Sequence, residues 1–132
     1  MHEQAEQWPL GRLLSAAARA VERDWDERLR AIGLTHAALI AIDILIRTGP
    51  TGADTLARTA HVRPQTMSLT LERAERDGLV ERTPHPDDRR RRVVSVTDAG
   101  RAAWDTARHI EREVLPDDDA LRERLTRILS SD

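Results

Sequence analysis

A chain of 132 residues holds one domain, and its 39% apolar content supplies one modest core. Three Trp are the only aromatics, so that core is Leu, Ile, Val and Ala, which suits close-packed helices rather than a β-sandwich. The net charge of -2 excludes a uniformly basic protein but not a local basic prong, and zero Cys excludes disulfides, Cys-ligated zinc and a thiol redox sensor.

Residues 8–32 predict one long helix. Leu10, Leu14, Ala17, Val21, Trp25, Leu29 and Ile32 span 22 residues in six steps, a helical mean spacing of about 3.7. Pro9 suits a first turn and Gly33 a C-terminal stop. The stripe has no partner within its own segment. A second helix is expected from the cap Thr35 to Arg47, with Leu39, Ile42, Ile44, Leu45 and Ile46 inward and Thr48-Gly49-Pro50 as the closing turn. A short helix over 52–59 then carries Leu56 and Ala57 inward, followed by the tight link His61-Val62-Arg63. Pro64 opens a compact helix to Asp77 with Met67, Leu71 and Ala74 on one face, and Gly78 closes it.

The period then changes. Residues 79–83 and 92–96 read as short strands around the polar turn Pro84-His85-Pro86-Asp87-Asp88-Arg89-Arg90-Arg91, a hairpin with an extended tip. From Arg82 to Arg92 five Arg face two Asp, a local charge of +3. Thr97 caps another helix over 98–115, with Ala99, Ala103, Ala107, Ile110 and Val114 in register. A last helix follows Pro116, with stripe Leu121, Leu125 and Ile128, and three Asp that complement its dipole. No leader pattern opens the chain, and the longest apolar run, residues 37–42, is far too short to span a bilayer. A cytoplasmic protein with no membrane association is expected.

Three short helices followed by a two-stranded hairpin is the order of a winged helix-turn-helix. The expected fold is mainly α: one domain over 1–132, with a winged helix-turn-helix lobe at 35–97 between flanking dimerisation helices at 8–32 and 98–130. The resemblance sharpens at three segments: Gly78-Leu79-Val80-Glu81-Arg82, Pro86-Asp87-Asp88-Arg89-Arg90, and Val93-Val94-Ser95-Val96-Thr97-Asp98-Ala99-Gly100. Together they resemble the wing signature of MarR-type regulators, and Gly33-Leu34-Thr35 resembles that family's lead-in to its second helix. Val96 and Ala74 depart from the family pattern, each standing where Leu is usual.

If Met67, Leu71 and Ala74 face inward, the opposite face presents Gln65, Ser68, Leu69 and Glu72. Gln65 can pair bidentately with adenine and Leu69 can touch a thymine methyl. Thr66 and Ser68 suit phosphates or base edges, and Arg63 suits a phosphate. The resemblance implies that Arg90 of the Asp88-x-Arg90 pattern enters a minor groove while Asp88 structures the wing. Arg89, Arg91 and Arg92 are expected mostly at the DNA backbone. It also implies an effector site for a small aromatic or phenolic ligand, for which Trp25, Arg28, His36 and Ile40 are the candidates. The expected function is sequence-specific binding of double-stranded DNA by a homodimer on a pseudo-palindromic operator, as a ligand-released repressor. The alternative is a winged-helix protein-interaction module that has lost DNA binding. No nucleophile–base set, phosphate loop or metal-ligand spacing among the His points to an enzyme, a metal or a cofactor.

Overall fold

The computed structural model describes residues 4–131, so residues 1–3 and 132 of the expected 1–132 domain lie outside the described residues. A 3₁₀ turn at Ala5–Gln7 leads into α1 (Leu10–Ala31), α2 (His36–Thr48), β1 (Thr51–Gly52), α3 (Ala53–Ala60) and α4 (Pro64–Arg76). The chain continues through β2 (Val80–Pro84), β3 (Arg92–Val96), α5 (Asp98–Val114) and α6 (Asp119–Leu129). The architecture is mainly α with a small antiparallel wing, as the patterning predicts.

Local chemistry sets the helix boundaries. Thr35 Oγ1 accepts from Ala38 N at 3.0 Å to start α2. Thr97 Oγ1 accepts from Gly100 N at 3.0 Å to start α5, and Asp118 Oδ1 accepts from Leu121 N at 3.1 Å to start α6. Such caps satisfy amide donors that have no partner within the helix. Gly49 closes α2 at φ 80, a left-handed conformation that a Cβ would strain.

The core is one cluster around α2. Ala38, Leu39, Ala41, Ile42 and Leu45 are buried against Leu29 of α1, Leu56 of α3, Leu71 of α4, Val94 of β3 and Ala107 of α5. α2 is therefore the spine on which α3, α4, β3 and α5 rest, and α1 packs on α5. The flanking stripes remain open: Leu10, Leu14 and Ile32 of the first segment and Leu121, Ile128 and Leu129 of the last are exposed.

Two expectations need correction. The sheet has three strands in the order β1-β3-β2, because Thr51 and Gly52 pair with Val94 and Val93. Two residues are too few to show an alternating pattern, and the preceding Gly49-Pro50 masks them as a turn. In α5, Ala99 is exposed, and Gly100 is the buried first-turn residue. Among the described residues, no single helix is long and apolar enough to cross a membrane.

Candidate nucleic-acid interface

α3 and α4 are joined by a turn in which His61 adopts the left-handed conformation at φ 57. Val62 N donates to Ala57 O at 3.0 Å and His61 N to Arg58 O at 3.1 Å, which closes α3. Arg63 is the N-cap of α4 and Pro64 its first residue, a position where a missing amide hydrogen costs nothing. Met67, Leu71 and Ala74 are buried, so the helical period turns Gln65, Thr66, Ser68 and Leu69 outward together. Leu69 is 68% exposed, an apolar side chain held in solvent on the face opposite the core. Arg63, at the same end, is also exposed.

The wing follows. β2 and β3 pair from Val80↔Val96 to Pro84↔Arg92. At the tip, His85 N donates to Arg91 O at 2.9 Å, and Asp87 N donates to His85 Nδ1 at 3.0 Å. Asp88 Oδ1 accepts from Arg90 N at 3.0 Å, an Asx-type contact that shapes the turn. The Arg90 guanidinium reaches the same oxygen only at 3.5 Å, and its side chain is 93% exposed. Arg89, Arg91 and Arg92 are exposed and, among the described residues, have no ion-pair partner. A cluster of unpaired guanidiniums beside an exposed helix face is the chemistry that a polyanionic duplex requires.

One contact escapes sequence reasoning. Glu75, in the last turn of α4, accepts three hydrogen bonds from Arg82 of β2. The Arg82 side chain, ahead of burial and other nearby charge, holds the Glu75 carboxyl below its ordinary value. Arg82 closes the Gly78-to-Arg82 segment of the wing signature, but nothing in the sequence ties it to Glu75.

On the other side of α2 lies a cavity of about 780 Å³ among α1, α2, α3, α5, the α5–α6 link and α6. Trp25, His36 and Ile40 line it. Trp25 and His36 meet edge to face with ring centroids 4.8 Å apart, and the buried Trp25 Nε1 has no hydrogen-bond partner among the described residues. Arg28 does not line the cavity: its guanidinium pairs instead with Glu113 across α1 and α5. Four other Arg line the wall: Arg47 and Arg122 pair with Asp43 and Asp117, Arg112 is exposed, and Arg108 stacks 4.7 Å from the Trp104 ring centroid. Trp104 Nε1 donates to Asp43 Oδ1 at 3.0 Å. Trp104 sits one position after Ala103, at the edge of the predicted stripe. As one of three aromatics in the chain, it carried a signal that could have been read. Burial, with Asp43 adding to it, pushes the Glu111 carboxyl up.

A recognition helix with its polar face outward, seated on a second helix and flanked by a basic hairpin, defines a winged helix-turn-helix DNA-binding protein. The comparisons agree. A MarR family model matches residues 34–91. An uncharacterized HTH-type transcriptional regulator of Mycobacterium bovis is 30% identical over 102 residues, covering 77% of this chain and 71% of its own length. The crystal structure of a probable transcriptional regulator from Pseudomonas aeruginosa is 31% identical with a TM-score of 0.71, covering 92% of this chain and 98% of that one. A mutant MarR from E. coli, solved in complex with operator DNA, has the same fold at 23% identity and a TM-score of 0.73, covering 97% and 98%. The chain belongs to the MarR family of transcriptional regulators.

Proposed function

We propose that this chain is a cytoplasmic, non-enzymatic repressor that binds a pseudo-palindromic operator as a homodimer and is released by a small aromatic ligand. The observation that carries the reading is the joint exposure of Gln65, Ser68 and Leu69 on α4 and of Arg89, Arg90 and Arg91 on the wing. The first set offers base-reading groups and the second offers charge for phosphates and a minor groove. Dimerisation is supported by the exposed apolar residues of the two flanking segments, from Leu10 and Leu14 to Leu121, Ile128 and Leu129. For the ligand, Trp25, His36 and Ile40 remain the candidates, with Arg108 in place of Arg28 as the cation. The aromatic edges and the unpartnered Trp25 Nε1 favour a planar molecule with a hydrogen-bond acceptor.

The test is enrichment of a duplex from a random pool, followed by titration of its affinity against salt. Affinity should fall steeply with salt, and Arg90→Ala should lower the slope by about one to two per dimer, one wing per protomer. Arg91→Ala should cost less and show no preference for A/T-rich flanks. A protein that enriches no duplex, with no salt-dependent affinity, would be the interaction module instead.

A further inference from the structure

We propose that Glu75 and Arg82 are positioning residues: they lock the wing to the recognition helix and so set the spacing between the major-groove and minor-groove contacts. The proposal rests on the DNA-binding reading above. Glu75 Oε1 accepts from Arg82 Nε at 3.1 Å and from Nη2 at 2.9 Å, while Oε2 accepts from Arg82 N at 3.2 Å. One carboxylate thus grips the guanidinium fork and the strand backbone together. The fork is rigid and planar, so the pair fixes an angle as well as a distance.

The backbone contact has a topological cause. β2 is an edge strand, with β3 on its only paired side. Arg82 lies opposite Val94, and its amide points away from β3 towards α4. Without Glu75 that amide would be an open edge donor. Among the described residues, these are the only side-chain hydrogen bonds between α4 and the wing strands. Two residues beyond Arg82 the strand ends at Pro84, and the tip that carries Arg90 is held by contacts within itself. Val80 and Val94 seat the base of the wing in the core, and Glu75 fixes its angle further out, towards the tip. Both side chains remain partly open to solvent, at 39% and 26%, so the pair adds little to folding stability and its positional role is separable.

The experiment is a set of double-mutant cycles on a duplex enriched by the wild-type protein from a random pool, with melting curves for every variant. Arg90→Ala should weaken wild-type binding on the order of tenfold. In a Glu75→Gln background the same substitution should cost less than about twofold, while the cost of Gln65→Ala stays unchanged. Arg82→Lys, which keeps the charge and loses the fork, should give the same pattern and serves if Glu75→Gln does not fold. The proposal falls if Arg90→Ala keeps its full cost in both backgrounds, or if the Gln65 and Arg90 costs shrink in parallel. Should the wild type enrich no duplex, the DNA-binding reading falls, and the proposal with it.

Discussion

Gly100→Ala sets two opposed effects against each other, and the structure fixes the sign. By helix propensity alone, Ala in place of Gly in α5 should gain up to about 1 kcal/mol. Sterically it cannot fit. A Cβ at residue 100 would lie 2.1 Å from the Leu79 carbonyl oxygen and 2.7 Å from Val96 Cγ2. The carbonyl cannot withdraw freely, because it accepts from Thr97 N at 3.1 Å while the neighbouring Gly78 O accepts from Thr97 Oγ1 at 2.6 Å. Relief requires moving the first turn of α5, at about 1–3 kcal/mol for overpacking and about 1 kcal/mol for each hydrogen bond lost. The net expectation is destabilisation by about 2–3 kcal/mol. With an unfolding entropy of about 2.1 cal/mol/K per residue, Tm should fall by about 7–11 °C, read by circular dichroism at one fixed protein concentration. Gly11→Ala is the matched control: it too lies in the first turn of a helix, with nothing within 4 Å of its Cβ position, and should hold or raise Tm. A Gly100→Ala protein that melts at or above the wild type would refute the reasoning.

Gln65→Ala should relax preference at one base pair per half-site, by about 1–3 kcal/mol in a competition assay, and leave affinity for random DNA nearly intact. Equal losses on both would make Gln65 a backbone contact. Glu111 has a carboxyl raised by burial and by Asp43, so the fold favours its protonated form. That contribution is present below the ordinary carboxylate range and is lost as pH rises through the folded value. Glu111→Gln should therefore raise Tm at about pH 7 and leave it nearly unchanged at about pH 4, and the opposite order would be fatal to this account. Ile128→Asp, on the exposed stripe of α6, should shift light scattering from dimer towards monomer, and an unaltered dimer would remove α6 from the interface.

The parts of the fold legible in the sequence are those with a repeating signal. Met67, Leu71 and Ala74 recur at helical spacing, so the facing of α4 followed from period alone. Thr35 and Thr97 announced their helices because a cap is a local act of one side chain. What stayed hidden depends on partners far apart in the chain. β1 exists because β3 arrives forty residues later to pair with Thr51 and Gly52. Arg28 looked like a free cation until α5 brought Glu113 beside it. The inward turn of Gly100 in place of Ala99 follows from the Leu79 carbonyl, which the amphipathic pattern of 98–115 does not report.

The cavity and the recognition helix are connected only indirectly, which limits how a ligand can act. Among the described residues, the lining comes from α1, α2, α3, α5, the α5–α6 link and α6, and none of it from α4 or the wing. Besides α2, which lines the cavity and packs on α4, a ligand bound there would reach α4 by two routes. One is Thr59 and Ala60, which line the cavity immediately before His61, whose left-handed turn aims the N-terminus of α4. The other is α5, whose Thr97 grips the chain at Gly78, just past the C-terminus of α4. The first route would tilt the end that carries Gln65 and Leu69; the second would shift the end that holds the wing through Glu75. To turn a dimer from 99% competent to 1%, the ligand must prefer the released state by about 10⁴-fold. A preference that large requires the cavity to change shape between states. Among the described residues, its α2 and α5 walls are joined by one hydrogen bond, Trp104 Nε1 to Asp43, besides their core packing. Sliding α5 against α2 breaks that hydrogen bond and disturbs Ala107 and Ile110 in the core, just as moving α3 disturbs Leu56 and Ala57. Both motions would cost buried contacts, and the α5 route would carry the wing along with the helix through Thr97.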